Sequence, residues 1–301
     1  MTASARVWAG LAPGKANNLK LLVFGKTGQV ARALQRQCVG HYLDRSQADL
    51  SDHASCAAII AATDADVVIN AAAYTAVDTA EQEETLATLI NGKTPGMMAQ
   101  AAAARGLPFV HISTDYVFDG SGDTPWKPAD TPAPLSAYGR SKLAGETAIR
   151  TSGARHVILR TSWVFSADGS NFVKTMLRLA ETRAALNVVA DQMGGPTPAD
   201  DIATTLLTIA RALLNDHSGG TYHYAGAPAT NWECFARETF ARAGSDMTVS
   251  AIATRDYPTP AQRPLNSRLD CSTLQTDFAI PPSDWQAGLN RVLNTLKEHS
   301  K

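Results

Sequence analysis

The chain has 301 residues, 45% of them apolar, with 27 basic and 28 acidic side chains and a net charge of −1. That length supports one large core or two joined lobes, the near-neutral balance leaves no basic field for nucleic acid, and no apolar run approaches the ~20 residues of a membrane span. Residues 1–18 carry Arg6 and a brief apolar patch at Val7 and Trp8, too weak for a secretory signal, and read as a flexible extension before the first strand.

Leu19 to Phe24 is a short, nearly continuous apolar run, as expected of a parallel strand buried on both faces. It runs into Gly25-Lys26-Thr27-Gly28-Gln29-Val30-Ala31 and a helical pattern to about Cys38. Strand, glycine turn and helix in that order bring a pyrophosphate onto free N–H groups at a helix N-terminus. The pattern is GxxGxxA, and by itself it is also that of an ordinary loop. Asp44 follows about 20 residues after Gly25, where a carboxylate can accept from an adenosine ribose. Its neighbour Arg45 suits a 2′-phosphate, so NADH and NADPH both stay open.

Asp66 to Asn70 reads as another buried strand, followed by the small residues Ala71-Ala72-Ala73 and then Tyr74, which let a ligand approach the backbone or simply pack against a helix. An Ala-rich helix spans Thr94 to Arg105. The strand Phe109 to Ile112 then delivers Ser113-Thr114-Asp115-Tyr116 at its carboxyl end, the edge where ligands bind in open α/β sheets. Beyond it, Tyr138 and Lys142 stand at i, i+4 in Ser136-Ala137-Tyr138-Gly139-Arg140-Ser141-Lys142. On a helix that spacing stacks phenol and ammonium on one face, where the cation favours the ionised phenol and makes a tunable acid. A packed ring beside a solvated amine has the same spacing; the hydroxyl-bearing strand just before it favours a carbonyl-reducing site.

In the second half, Pro198 to Leu214 is patterned as a helix returning to the sheet and Trp232 to Ala243 as an amphipathic helix of a smaller lobe. Arg263 lies in the Pro-punctuated stretch Tyr257 to Pro264. Cys38, Cys56, Cys234 and Cys271 show no CxxC spacing and the seven histidines no HExxH, so reduced thiols and no metal site are expected.

The blocks GKTGQV (Gly25 to Val30), NAAAYTAVD (Asn70 to Asp78), STDYVFDG (Ser113 to Gly120), YGRSKLAGE (Tyr138 to Glu146), RTSWVF (Arg160 to Phe165), DQMGGPT (Asp191 to Thr197) and RPLNS (Arg263 to Ser267), in that order, resemble the dTDP-4-dehydrorhamnose reductases. That family belongs to the extended short-chain dehydrogenase/reductases. The resemblance runs from about Leu19 to the C-terminus. It implies an α/β fold, a Rossmann-type doubly wound parallel sheet with a smaller C-terminal substrate-binding lobe. The expected division is a nicotinamide-binding domain over 19–161, with a return segment near 189–225, and a mainly substrate-binding lobe over 162–301.

The implied activity is reduction of the C4 ketone of dTDP-4-dehydro-β-L-rhamnose by NADPH, with NADH possible, in the last step of dTDP-L-rhamnose synthesis. Carried over by position, Thr114, Tyr138 and Lys142 form the catalytic trio. Gly25, Gly28, Gln29 and Val30 fall at the pyrophosphate, Asp44 at the adenosine ribose, Asp49 and Leu50 at the adenine, and Ala73, Tyr74 and Thr75 toward the nicotinamide. Tyr138 and Lys142 also touch the cofactor. Thr114, Asp115 and Trp163 contact the deoxysugar, and Arg263 and Asn266 the diphosphate. Magnesium is associated with the family, but a glutamate that some relatives carry after the glycine turn is replaced here by Ala33. A cytoplasmic monomer or homodimer is implied. Two other readings remain: a non-catalytic NADP-binding regulatory subunit like the β subunit of methionine adenosyltransferase, and another nucleotide-sugar reductase or epimerase.

Overall fold

Every position of Leu21–Phe24 (β1) is buried, because the strand has a parallel neighbour on each side and a helical layer on each face. The computed structural model describes residues 19–299; the extension expected over residues 1–18 lies outside them. After β1 the main elements are α1 (Gln29–Gln37), β2 (Gly40–Leu43), α2 (His53–Ala62), β3 (Val67–Asn70), α3 (Thr94–Ala104), β4 (Phe109–Thr114), α4 (Ala137–Arg150), β5 (His156–Thr161), α5 (Phe172–Ala180), α6 (Ala199–Leu214), β6 (Gly220–His223), α7 (Trp232–Ala243) and α8 (Trp285–His299).

These strands form one six-stranded parallel sheet in the order β6-β5-β4-β3-β1-β2. The chain crosses from β1 to β2 on one side and then to β3 on the other. The strand order therefore reverses between β1 and β3, which opens a crevice at their carboxyl ends. This is the doubly wound α/β sheet that the sequence implies.

Alternation along β1 divides the core. Leu21 and Val23 face α1 and α6, together with Val110, Val157, Ile202 and Leu206. Leu22 and Phe24 face the other way, against Cys56 and Ile60 of α2 and Met98 and Ala99 of α3. Each such aliphatic or aromatic side chain stabilises the fold by about 1.5–3 kcal/mol when fully buried. Helix α6 and strand β6 return to this sheet after the chain has already entered the second lobe.

The smaller lobe packs α5, α7 and α8 around Phe165, Phe235, Trp285 and Leu289, with a two-stranded parallel ribbon pairing Ala185–Val189 with Thr248–Ile252. Asn171 and Asn231 start α5 and α7 by accepting from the N–H groups of Lys174 at 3.2 Å and Cys234 at 2.7 Å. Strand β4 runs two residues past the expected Ile112, because Ser113 and Thr114 pair in register with Arg160 and Thr161 of β5. Polar side chains persist in that strand only because partners wait beneath it, as described below. All four cysteines are free.

Candidate active site

The crevice beside β1 is a cavity of about 350 Å³ lined by Gly25, Gly28, Asp44, Asp49, Leu50, Ala73, Tyr74 and Thr75, among others. Gly25 has φ +115°, and its Cα approaches the backbone of Ala71 so closely that a Cβ would lie 3.2 Å from the Ala71 carbonyl carbon. At Gly28, the N-cap of α1, a Cβ would meet nothing within 4 Å. An open cradle over a helix N-terminus fits a pyrophosphate. Asp44, at the end of β2, accepts from the Ser46 hydroxyl at 2.6 Å and has Lys26 Nζ at 3.4 Å. The Ser46 hydrogen bond, with help from Lys26, holds its carboxyl below the usual range, so it is ionised in the cleft. Asp49 is paired with Arg45 at 3.2 Å.

Gln29 and Val30 do not face this cavity with their side chains. Gln29 Oε1 accepts from Ser166 Oγ at 2.9 Å and Asn171 Nδ2 at 3.0 Å, fastening the start of α1 to the second lobe. Val30 is buried in the core under the sheet. Only their backbone N–H groups remain for the pyrophosphate. The Ala71–Thr75 loop is held by Asn91, whose amide accepts from Tyr74 N at 2.8 Å and donates to Tyr74 O at 2.9 Å and to Ser141 Oγ at 3.0 Å. Asn91 sits in a π-helical turn, Leu89–Lys93, that docks this loop onto α4.

Helix α4 starts at Ser136, whose hydroxyl accepts from Gly139 N at 3.2 Å. Gly139 lets the helix lie against the turn after β4: a Cβ there would stand 2.2 Å from the Tyr116 carbonyl oxygen. Tyr138 is thereby brought to Tyr116, edge to face with ring centroids 5.8 Å apart, and to the Thr114 hydroxyl. Thr114 Oγ1 in turn donates to Asp115 Oδ1 at 3.0 Å. Burial pushes Asp115 up to about 6, against the lowering effect of Ser267 and Thr114, and its Oδ2 has no hydrogen-bond partner among the described residues.

The Tyr138–Lys142 pair differs from expectation. Lys142 is on the same face of α4, but its Nζ donates to Ile112 O at 2.7 Å and lies 3.1 Å from His111 Nε2, turned toward the sheet. Burial pushes the Tyr138 phenol up to about 12. The same desolvation lowers Lys142 to about 8. The spacing placed the two groups on one face; which neighbour the long amine reaches was decided by β4.

Beneath the site lies a buried ion pair. Glu146, wholly buried one turn beyond Lys142, receives Arg160 Nε at 2.8 Å and Nη2 at 2.6 Å, and Ser113 Oγ at 2.6 Å. Arg160 lies 5.0 Å over the Phe118 ring, with its Nη1 3.3 Å from His223 of β6. This network joins β4, β5, β6 and α4, reaching β4 at Ser113, the residue before Thr114. Sequence reasoning passed over it, although Tyr138, Lys142 and Glu146 repeat at i, i+4, i+8.

Three residues expected at the substrate make defined contacts within the protein. Trp163, two residues past β5, has φ +47° and stacks on Trp232 with centroids 3.6 Å apart. Arg263 commits its guanidinium fork to Asp78, Nη1 to Oδ1 at 3.1 Å and Nη2 to Oδ2 at 2.9 Å, so the two nitrogens a diphosphate would use already have a carboxylate. Asn266 is buried, and its amide donates to Thr124 O at 2.8 Å and Ser121 O at 3.3 Å while accepting from Arg268 Nε at 2.8 Å. With its donors and acceptor so used, Asn266 ties down the 121–124 loop. A short motif reveals neither competition, because Asp78 and Thr124 are distant in sequence. Among the described residues, no group of three or more His, Cys, Asp or Glu side chains is arranged to hold a metal.

Residues 19–298 match the family model described as RmlD substrate binding domain. The dTDP-4-dehydrorhamnose reductase of Sinorhizobium fredii is 43% identical over 289 residues, covering 92% of this chain and 98% of that protein. The chain belongs to the dTDP-4-dehydrorhamnose reductase family. Its Escherichia coli K12 relative of the same name is 42% identical over 294 residues, again covering 92% and 98%. Among solved structures, the dTDP-4-dehydrorhamnose reductase of Bacillus anthracis in complex with NADP superposes with a TM-score of 0.86 at 32% identity, covering 92% of this chain and 99% of that one. The Clostridium acetobutylicum family member gives 0.87 at 35% identity, with the same coverage. For this reductase family, the resemblance drawn from the sequence blocks is borne out.

Proposed function

We infer that the protein reduces the C4 ketone of dTDP-4-dehydro-β-L-rhamnose to dTDP-β-L-rhamnose with a nicotinamide cofactor, the last step of dTDP-L-rhamnose synthesis. The carrying observation is that Tyr138, Thr114 and Asp115 converge at the carboxyl end of β4, on a sheet whose dinucleotide crevice opens at the same edge, in a chain of this family. A binding-only relative has no chemical use for that proton-transfer set.

Gly25 and Gly28, with the backbone N–H groups of Gln29 and Val30, hold the cofactor pyrophosphate; Asp44 meets the adenosine ribose, Asp49 and Leu50 flank the adenine, and Ala73, Tyr74 and Thr75 line the way to the nicotinamide. Lys26 and Arg45, beside the two carboxylates, favour NADPH. When bound, the nicotinamide supplies the hydride. Tyr138 supplies the proton: with its phenol pushed up to about 12 it is protonated throughout the neutral range, so it can neutralise the sugar oxygen as charge develops. Thr114 orients that phenol and offers the oxygen a second hydroxyl. Asp115 Oδ2 is a buried acceptor for a hydroxyl of the deoxysugar, and Trp163 is a flat platform for the ring. Lys142 anchors the nicotinamide ribose from the next turn of α4.

NADPH consumption with dTDP-4-dehydrorhamnose, compared with the corresponding UDP-sugar and with NADH, tests the reading. Fast, dTDP-selective oxidation that releases the cofactor is expected. No consumption, or a tightly retained cofactor that is cycled, would assign the protein to the binding or epimerase alternatives. Among the described residues no helix is long and apolar enough to cross a membrane, and a cytoplasmic setting belongs to the same reading.

A further inference from the structure

Four carboxylates between Asp78 and Glu84, to which the reduction assigns no task, reach three separate parts of the site. Asp78 holds Arg263 and Ala261 N, and Glu83 Oε2 accepts from the Tyr74 hydroxyl at 2.8 Å, in the loop that leads toward the nicotinamide. The other two go to the first turn of α4. Glu84 receives Arg140 Nε at 2.7 Å and Nη2 at 2.9 Å, and Glu81 Oε1 accepts from Ala137 N at 2.8 Å.

The bond from Ala137 has the largest consequence, because the first N–H groups of a helix have no partner inside it. In α4, Gly139 N finds the Ser136 hydroxyl, and Arg140 N begins the helical ladder at Ser136 O, 2.9 Å away. Ala137 N finds Glu81, 56 residues distant along the chain. Ala137 is wholly buried against Ala80 and Ala87, so water does not stand in for that acceptor. A carboxylate there also meets the positive end of the helix dipole. Ala137 immediately precedes Tyr138, and the bond therefore fixes the backbone from which the phenol is aimed at the Thr114 hydroxyl. A shift of about 1 Å in a reacting group can cost about 100-fold in rate.

We propose that Glu81 is a positioning residue for the reduction: its carboxylate pins the first residue of α4 and so sets the direction of the Tyr138 phenol. The pinning is a property of the fold alone, whereas its effect on turnover rests on the reductase reading.

Glu81→Ala and Glu81→Gln in the full chain test both parts. Amide hydrogen exchange at Ala137, followed by ¹⁵N-resolved spectra, should be about 10-fold faster or more in Glu81→Ala and near wild type in Glu81→Gln, whose amide oxygen still accepts. In single turnovers of NADPH with dTDP-4-dehydrorhamnose, Glu81→Ala should be slower by roughly 10-fold, with KM for both substrates within about 2-fold, and Glu81→Gln should recover to within about 3-fold of wild type. A loss of stability alone, with turnover of the folded variant unchanged, overturns the proposal; so does unchanged exchange at Ala137, or a Gln variant no better than Ala. A wild-type protein that leaves dTDP-4-dehydrorhamnose unreduced would sink the reductase reading, and exchange at Ala137 would still decide the pinning. If Glu81→Ala does not fold, Glu81→Asp takes its place, since it keeps the charge and is one methylene too short to reach Ala137 N.

Discussion

Arg263 lies along the carboxylate of Asp78 in a two-pronged ion pair, with nitrogen to oxygen distances of 3.1 and 2.9 Å, and so joins the RPLNS segment to the helical turn Val77–Ala80. Ala261 N also donates to Asp78 Oδ1 at 3.1 Å. Both partners are partly exposed, at 25% and 40%, so the pair itself stabilises the fold by no more than about 1 kcal/mol. Its effect is on where the loop sits. Arg263→Ala, Asp78→Ala and the double variant should therefore weaken dTDP binding to the same extent, roughly 3- to 10-fold, with NADPH affinity unchanged. Calorimetric titration of each variant distinguishes this clamp from a direct ligand. Tighter dTDP binding by Asp78→Ala would return Arg263 to the diphosphate.

Tyr138→Phe removes the phenolic proton and keeps the ring against Tyr116. Turnover should fall by roughly 100-fold or more, while NADPH affinity stays within about 2-fold. Single-turnover kinetics would show whether the loss lies in the chemical step. Near-normal turnover would leave Thr114 or a water as the proton source.

Asp115→Asn should separate stability from activity. Burial raises the folded-state value of Asp115 to about 6, above the ~3.9 of an unfolded chain, so the folded form holds its proton more tightly. The stability this contributes is present in full below about pH 4 and is lost as pH rises through 6. At pH 8 the carboxylate is ionised and buried, and an amide avoids that cost. After allowing for one poorly satisfied amide, Asn should be the more stable by about 1–2 kcal/mol at pH 8, and the gap should close in acid. Sugar-nucleotide affinity should drop at the same time. Urea titrations at pH 4 and pH 8 would refute this if the variant proved less stable at both.

Glu146 shows the opposite linkage. Burial disfavours its charge, but Arg160 and Ser113 outweigh that and hold the carboxyl below its ordinary value. Its stability contribution is present above the unfolded value of ~4.3 and is lost as pH falls through the lower folded value. Glu146→Gln leaves Arg160 buried without its anion and should cost about 3–5 kcal/mol at neutral pH. Denaturation monitored by far-UV circular dichroism gives the number, and the difference from wild type should shrink on acidification. Because Ser113 also loses its acceptor, Thr114 should lose alignment and turnover should fall.

The amino-acid sequence by itself determined the sheet, the cleft and the shared helix face of Tyr138 and Lys142. The short apolar run Leu19 to Phe24, followed by a glycine turn and a helical pattern, reads as a strand feeding a helix N-terminus because the three occur in that order. Tyr138 and Lys142 share a face because helical spacing is local. What tertiary structure decided was the partner of each long polar side chain. Lys142 turns to His111 and Ile112 instead of the phenol, Arg263 to Asp78 instead of solvent, Asn266 to Thr124, and Gln29 across to Ser166. Those partners lie from 30 to 185 residues away along the chain. A buried donor must be satisfied by whatever acceptor packing brings near, and packing is a property of the whole chain, so a motif shows which chemistry is present without showing which charge it will carry.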